Sequence, residues 1–188
     1  MSKLFVDEIV HQSSQGSGTI TLGASGETIS LASGAEVSGF TGQNYPAFFA
    51  HLSASQSVSN NTITKAQVDT EIFDAGGYYD NSTNYRYTPL VAGKYFVYAA
   101  VAAESQTSVK LLMSQALIYK NGSEYTNPNM TIAENNVTRH IETTITVVDM
   151  NGSSDYIELY GRAQVGAGTP EFNHGSKQTF FGAFRLGA

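Results

Sequence analysis

A chain of 188 residues has room for one well-buried domain with an appendage and falls short of two ordinary domains. Only 14% of the residues are charged, and Gly, Ser, Thr, Asn and Tyr are abundant, a composition that suits many short strands joined by tight turns. The net charge of −6 excludes broad affinity for nucleic acid, and the absence of cysteine excludes disulfides and thiolate metal sites, leaving burial and association to stabilise the fold.

Residues 1–18 lack the basic segment and sustained apolar run of a secretory signal, because Lys3-Leu4-Phe5-Val6 runs directly into Asp7-Glu8. Synthesis in a cytoplasm is therefore expected. No later stretch is apolar for long enough to span a bilayer, so no membrane insertion is expected either. Near Gly39-Phe40 a Gly/Ser/Thr-rich beginning gives way to an aromatic-rich remainder. The expected divisions are a docking segment at 1–18, a short β-repeat stalk at 19–44 and a single domain at 45–188.

Within 19–44, Thr19-Ile20-Thr21-Leu22-Gly23 is echoed by Thr28-Ile29-Ser30-Leu31-Ala32. Each copy encodes one brief strand with a single apolar face. Two such strands supply too little core for independent stability, so copies from other chains are the natural cover. A flexible Gly/Ser linker is the alternative for this segment.

From Pro46 onward the apolar pattern has period two, and strands are expected at 46–53, 69–74, 84–88, 94–103, 109–119, 139–148, 155–163 and 178–186. Asn121-Gly122 sets side by side two residues that tolerate positive φ, the requirement of a type I′ hairpin turn. Pro89 and Gly93 bracket a turn that launches Tyr95-Phe96-Val97-Tyr98 into a strand, and Gly182 within a bulky strand points to close backbone or aromatic approach. The Asn-x-Ser/Thr triplets are read as turn chemistry.

Catalytic motifs are absent from the sequence. His11, His51, His140 and His174 are scattered without metal-binding spacing, and no Gly-x-Ser-x-Gly elbow occurs. The carboxylates Glu71, Asp74, Asp80, Glu134, Glu142 and Glu158 carry no pattern of their own. No cofactor is expected. A calcium ion is a weak alternative, because Asp74 and Asp80 flank a Gly-rich loop, although the EF-hand pattern is missing.

Several segments, in order, carry a resemblance to a known family. Pro46-Ala47-Phe48-Phe49-Ala50 is similar to the first strand of the C1q/TNF-like jelly roll. Tyr79-Asp80 through Tyr87, Pro89, Gly93 and Tyr95 looks like its Tyr-Asp…Pro…Gly…Tyr signature. Lys120-Asn121-Gly122 occupies its mid-domain hairpin, and Thr179-Phe180-Phe181-Gly182-Ala183-Phe184 resembles its final strand. The departures are one extra residue between Asp80 and Tyr87, Pro89 one place early, Asn84 in place of the turn glycine, and Val97 in place of an aromatic.

The resemblance implies an all-β jelly-roll sandwich and a homotrimer packed around a threefold axis by aromatic and aliphatic side chains of one sheet. Phe48, Tyr95, Phe96, Phe180, Phe181 and Phe184 are the candidate trimer or core aromatics. The loops 75–84, 123–137 and 166–177 are the candidate contact loops, with Tyr78, Tyr79, Asn81, Tyr125, Asn127, Asn129, Phe172 and His174 as candidate ligand contacts. They are chosen for aromatic and amide side chains in connecting segments.

The repeats resemble the β-prism stalks of trimeric viral fibres, and the N-terminal segment resembles that of small bacteriophage tail-fibre or appendage proteins. The resulting expectation is a non-enzymatic virion protein. Its partners are other virion proteins and a host-surface glycan or protein. A decoration or fibre-joining scaffold, a surface-polysaccharide depolymerase and a cellular C1q-like ligand remain as alternatives.

Overall fold

The computed structural model describes residues 46–106, 110–132 and 137–187, and the expected docking segment and stalk lie outside the described residues. Fourteen strands follow one another among the described residues, with no helix. They are β1 (Ala47–His51), β2 (Gln56–Ser57), β3 (Thr64–Lys65), β4 (Thr70–Ala75), β5 (Tyr79–Asp80), β6 (Arg86–Tyr87) and β7 (Gly93–Ser105). The second half supplies β8 (Leu111–Lys120), β9 (Ser123–Glu124), β10 (Asn129–Thr131), β11 (Arg139–Met150), β12 (Ile157–Val165), β13 (Pro170–Phe172) and β14 (Phe180–Gly187).

All eight strands expected from the period-two pattern are present, though the one expected at 84–88 shrinks to the two residues of β6. The other six strands have only two or three residues each, too few for alternation to reveal them.

Every pairing is antiparallel. In the first sheet β11 lines one edge of β7, while β14 and β13 share the other; beyond them lie β1 and then β4 on one side and β2 on the other. The second sheet runs β10-β8-β12-β6-β5, with β9 also on β8 and β3 also on β12. The chain thus passes back and forth between two sheets, the jelly-roll way of burying two inner faces against each other.

Alternation explains the core. Phe48 and Ala50 of β1, Tyr95, Val97, Ala99 and Val101 of β7, Ile157 and Leu159 of β12, and Phe181 of β14 all point between the sheets and are buried. Phe48 is the hub. Its ring stacks on Tyr79 at 4.6 Å and on Tyr87 at 4.3 Å, and meets Phe181 edge-on at 5.0 Å. Burying a tyrosine ring leaves its hydroxyl in need of a partner: Tyr79 donates to the Val68 carbonyl and Tyr95 to the Val91 carbonyl, each at 2.7 Å. On the opposite sheet Gly161 leaves room for a ring, since a Cβ there would sit 2.7 Å from Phe172 Cζ.

Turn chemistry is met at β8–β9, where Lys120 pairs with Ser123 and the two loop residues Asn121 and Gly122 have φ of 52° and 76°. It is displaced at 80–87. Tyr85, not Asn84, takes positive φ (51°). The cause is Asp80, whose carboxylate accepts the backbone N–H groups of Ser82, Thr83 and Asn84 together with the Asn84 side-chain amide, so Asn84 is held inside that network and the reversal moves one residue on.

These bonds, led by the one from Thr83 N–H, lower the Asp80 pKa from 3.8 to about 2 despite partial desolvation. A depressed carboxylate contributes stability that is present above its unfolded pKa and lost as the pH falls through its folded one. The window is therefore from about pH 4 down to about pH 2. Asp80→Asn is expected to cost about 1 kcal/mol at pH 7, a figure reduced for solvent screening at this half-exposed loop, and to flatten acid unfolding across that window. Urea melts at stepped pH check both.

Candidate functional site: an aromatic sheet face

The residues that alternate with the core on the first sheet form its outer face. Register places Phe49 opposite Phe73 on β4 and opposite Gly182 on β14. Gly182 in turn lies opposite Tyr98, Phe184 opposite Phe96, and Phe180 opposite Ala100. On β11, Ile145 is opposite Tyr98 and Val147 opposite Phe96. Five rings touch across three strands: Phe49 with Tyr98 (6.0 Å) and Phe180 (5.6 Å), Phe96 with Tyr98 (6.2 Å) and Phe184 (5.3 Å), and Tyr98 with Phe180 (6.4 Å) and Phe184 (6.5 Å).

Glycine at 182 makes this possible, because the Tyr98 ring lies directly over it and a Cβ there would collide with that ring. Phe73, Ile145 and Val147 extend the face, exposed by 46%, 69% and 44%. Charge is confined to its two ends. Lys94 pairs with Asp149 at 2.8 Å at one end, and Arg139 with Glu104 at 3.6 Å at the other. An apolar sheet face of this extent, rimmed by ion pairs, has the make-up of an interface centre.

Of the six candidate trimer or core aromatics, Phe48, Tyr95 and Phe181 lie in the core, whereas Phe96, Phe180 and Phe184 lie on the outer face. Phe49, Phe73 and Tyr98, which complete the face, were not singled out in the sequence. Parity sets Phe49 apart from Phe48, and Tyr98 with Phe96 apart from Tyr95, without saying which set faces outward, and no local signal marked Phe73.

The eight candidate ligand contacts do not converge. Tyr125, Asn127 and Asn129 lie at the β10 end of the second sheet, Tyr78, Tyr79 and Asn81 at its β5 end, and Phe172 and His174 beside β2 and β7 of the first. Two are corrected outright: Tyr79 is 6% exposed and Phe172 0%, so both rings serve the core. Tyr79 leaves its Gly-rich loop to stack on Phe48, and Phe172 sits on a short strand pairing with β7, with its ring packed over Gly161. Tyr125 remains exposed and donates its hydroxyl to the Val147 carbonyl; Asn127 bonds Gln115 and Glu124; His174 bonds the Ser55 hydroxyl.

One grouping brings together reactive residue types. His140 Nδ1 lies 2.7 Å from Ser114 Oγ and 3.7 Å from Glu142 Oε2. Both contacts converge on one ring nitrogen and Ser114 is fully buried, so the trio does not form a proton relay to a presented hydroxyl. The two aspartates expected beside a calcium ion are differently engaged. Asp80 is taken up by loop amides, and Asp74 accepts the Tyr79 N–H at 2.8 Å through one oxygen. Among the described residues no three His, Asp or Glu side chains gather as metal ligands.

No family model matches the chain, and no curated protein matches it. Solved structures do. Murine APRIL, crystallised at pH 8.0, superposes with a TM-score of 0.54 and 12% identity over 75% of this chain and 98% of its own. The globular domain of zebrafish complement 1qA gives 0.50 and 12% over 75% and 96%. At such identities the likeness is one of fold. Together with the two antiparallel sheets, it shows that the chain carries an all-β jelly-roll sandwich of the TNF/C1q type.

Proposed function

We propose that the chain works as a homotrimeric binding protein, with three copies packed through the outer face of the β4-β1-β14-β7-β11 sheet. The single observation that carries this reading is the contiguous aromatic face of Phe49, Phe96, Tyr98, Phe180 and Phe184, extended by Phe73 and Ile145. A second copy of the chain is the fitting occupant. The face is uncharged between its two ion-paired ends, so copies of a chain of charge −6 meet there with little repulsion. The solved jelly rolls that the fold matches belong to the TNF/C1q type, for which the sequence resemblance implies threefold packing through one sheet.

The finer reading is a virion appendage. In it residues 1–18 dock on a particle, 19–44 form the stalk, and the jelly roll contacts a host-surface glycan or protein. Its support is the short apolar repeat at 19–31, whose alternating pattern offers a single apolar face that a partner copy would cover. Three identical weak sites at fixed spacing would gain affinity through effective concentration.

Light scattering of the full chain at falling concentration tests the assembly. A mass three times that of the 20.1 kDa chain, unchanged by dilution, is expected. Adsorption competition with purified protein tests the appendage reading, and a trimer that never blocks adsorption of any host-specific particle would overturn the receptor-binding part.

A further inference from the structure

The outer face of the second sheet, turned away from the assembly face, carries a different chemistry. Along β12 the outward residues are Glu158, Tyr160 and Arg162, flanked by Tyr119 and Gln115 on β8 and by Arg86 and Lys65 on the short strands β6 and β3. A solvated sheet face would carry loose, independent polar side chains. Here most of them are held in two adjoining sets of contacts.

The Lys65 ammonium bonds the Glu158 carboxylate at 2.6 Å and lies 5.7 Å over the Tyr160 ring, which packs on Tyr119 at 4.1 Å. Glu158 is only 4% exposed. Beside them Arg162 donates through Nε (2.8 Å) and Nη2 to Asn61, and through Nη1 to Gln115 at a long 3.4 Å. Gln115 then donates to Asn127, and Asn127 to Glu124.

Charge distinguishes Arg162 from Lys65. Lys65 has its carboxylate, whereas the guanidinium of Arg162 rests on neutral amides alone, with no carboxylate in ion-pair contact among the described residues. A guanidinium has five N–H donors in a planar fork suited to a carboxylate, and three are used here, one of them weakly. A cation left unbalanced on a protein of charge −6 calls for an anionic ligand. The neighbouring phenols and the exposed Asn61 amide match the alternating donors and acceptors of sugar hydroxyls, while the buried Gln115 helps to hold the guanidinium in place.

We infer that this face, centred on Arg162, Tyr160 and Tyr119, binds a carboxylate-bearing saccharide, with the acid on the Arg162 fork and the hydroxyls on the phenols and exposed amides around it. The inference gives the binding reading above its ligand class. It does not depend on assembly, because the face belongs to one chain.

The test measures binding of the full chain to immobilised polygalacturonate and polysialic acid, with neutral dextran, dextran sulfate and polyglutamate as comparison surfaces. Binding to at least one acidic saccharide and none to dextran is expected. Arg162→Gln and Tyr160→Ala should each weaken it by about tenfold or more, with Arg162→Lys intermediate and Leu90→Ser, in the connection between β6 and β7, without effect. Equal binding to dextran sulfate that is indifferent to Tyr160→Ala would reduce the face to a plain charge contact, and preference for polyglutamate would point to an acidic protein; either overturns the proposal, as does absence of binding to both acidic saccharides. Light scattering on the same samples separates the two ideas. A trimer that ignores the saccharides sinks this inference alone, and a monomer that binds them sinks the assembly alone.

Discussion

Phe184→Asp is expected to turn the assembled protein into folded monomers. Phe184 lies on the outer sheet face, where its ring meets Phe96 at 5.3 Å and Tyr98 at 6.5 Å, and it has no place among the buried core residues. A carboxylate at 184 in an isolated chain stays in water and costs the fold little. In the assembly every copy would bury one such charge against aromatic rings, with Lys94 and Arg139 ion-paired at the ends of the face and Arg185 donating to the Ala92 carbonyl. The cost exceeds about 3 kcal/mol per copy, roughly a hundredfold in each contact. Light scattering should then report a single-chain mass, while far-ultraviolet circular dichroism retains the β-sheet signal. Loss of that signal together with the mass would show instead that Phe184 supports the monomer.

Phe48→Ala is the contrasting case, and its effect falls on the fold itself. Phe48 is fully buried and holds Tyr79, Tyr87 and Phe181 around one ring. Truncation removes three aromatic contacts and leaves a cavity between two sheets whose strands are fixed by hydrogen bonding and collapse poorly. A loss of about 3–5 kcal/mol is expected, a large share of the roughly 5–15 kcal/mol that keeps a domain folded. Denaturant melts of the variant in the Phe184→Asp background would measure this without assembly contributing. A loss under about 1 kcal/mol would mean that Phe48 is not the hub of the core.

The two substitutions also mark how far the sequence could be read. Period-two alternation and Asn-Gly chemistry were enough to locate the long strands and the β8–β9 hairpin, because both signals are local. Which parity faces the core was not local. Phe48 and Phe49 are both aromatic, as are Tyr95 and Phe96, so alternation alone does not separate core from outer face. Only the pairing of β1 with β14 and of β14 with β7 sorts them. Tyr79 and Phe172 were misassigned for a related reason. Each stands near turn residues that look like a surface loop, but strands of two or three residues carry each into the interior. The network around Arg162 was invisible for a third reason: Asn61, Gln115 and Arg162 lie far apart in sequence and meet only where β8 pairs with β12 and the segment preceding β3 reaches the same face.

Covering of the first sheet's outer face by other copies is tested most directly by thiol labelling, which the cysteine-free chain makes clean. Ile145→Cys places a thiol at a position 69% exposed in the single chain, and Leu90→Cys places a comparison thiol at a turn that is 57% exposed. In the native protein maleimide should modify position 145 many times more slowly than position 90, and the two rates should converge in the Phe184→Asp background. Equal, rapid labelling of both sites in the undisturbed protein would show that this aromatic face stands open to water, and the trimeric account would fail with it.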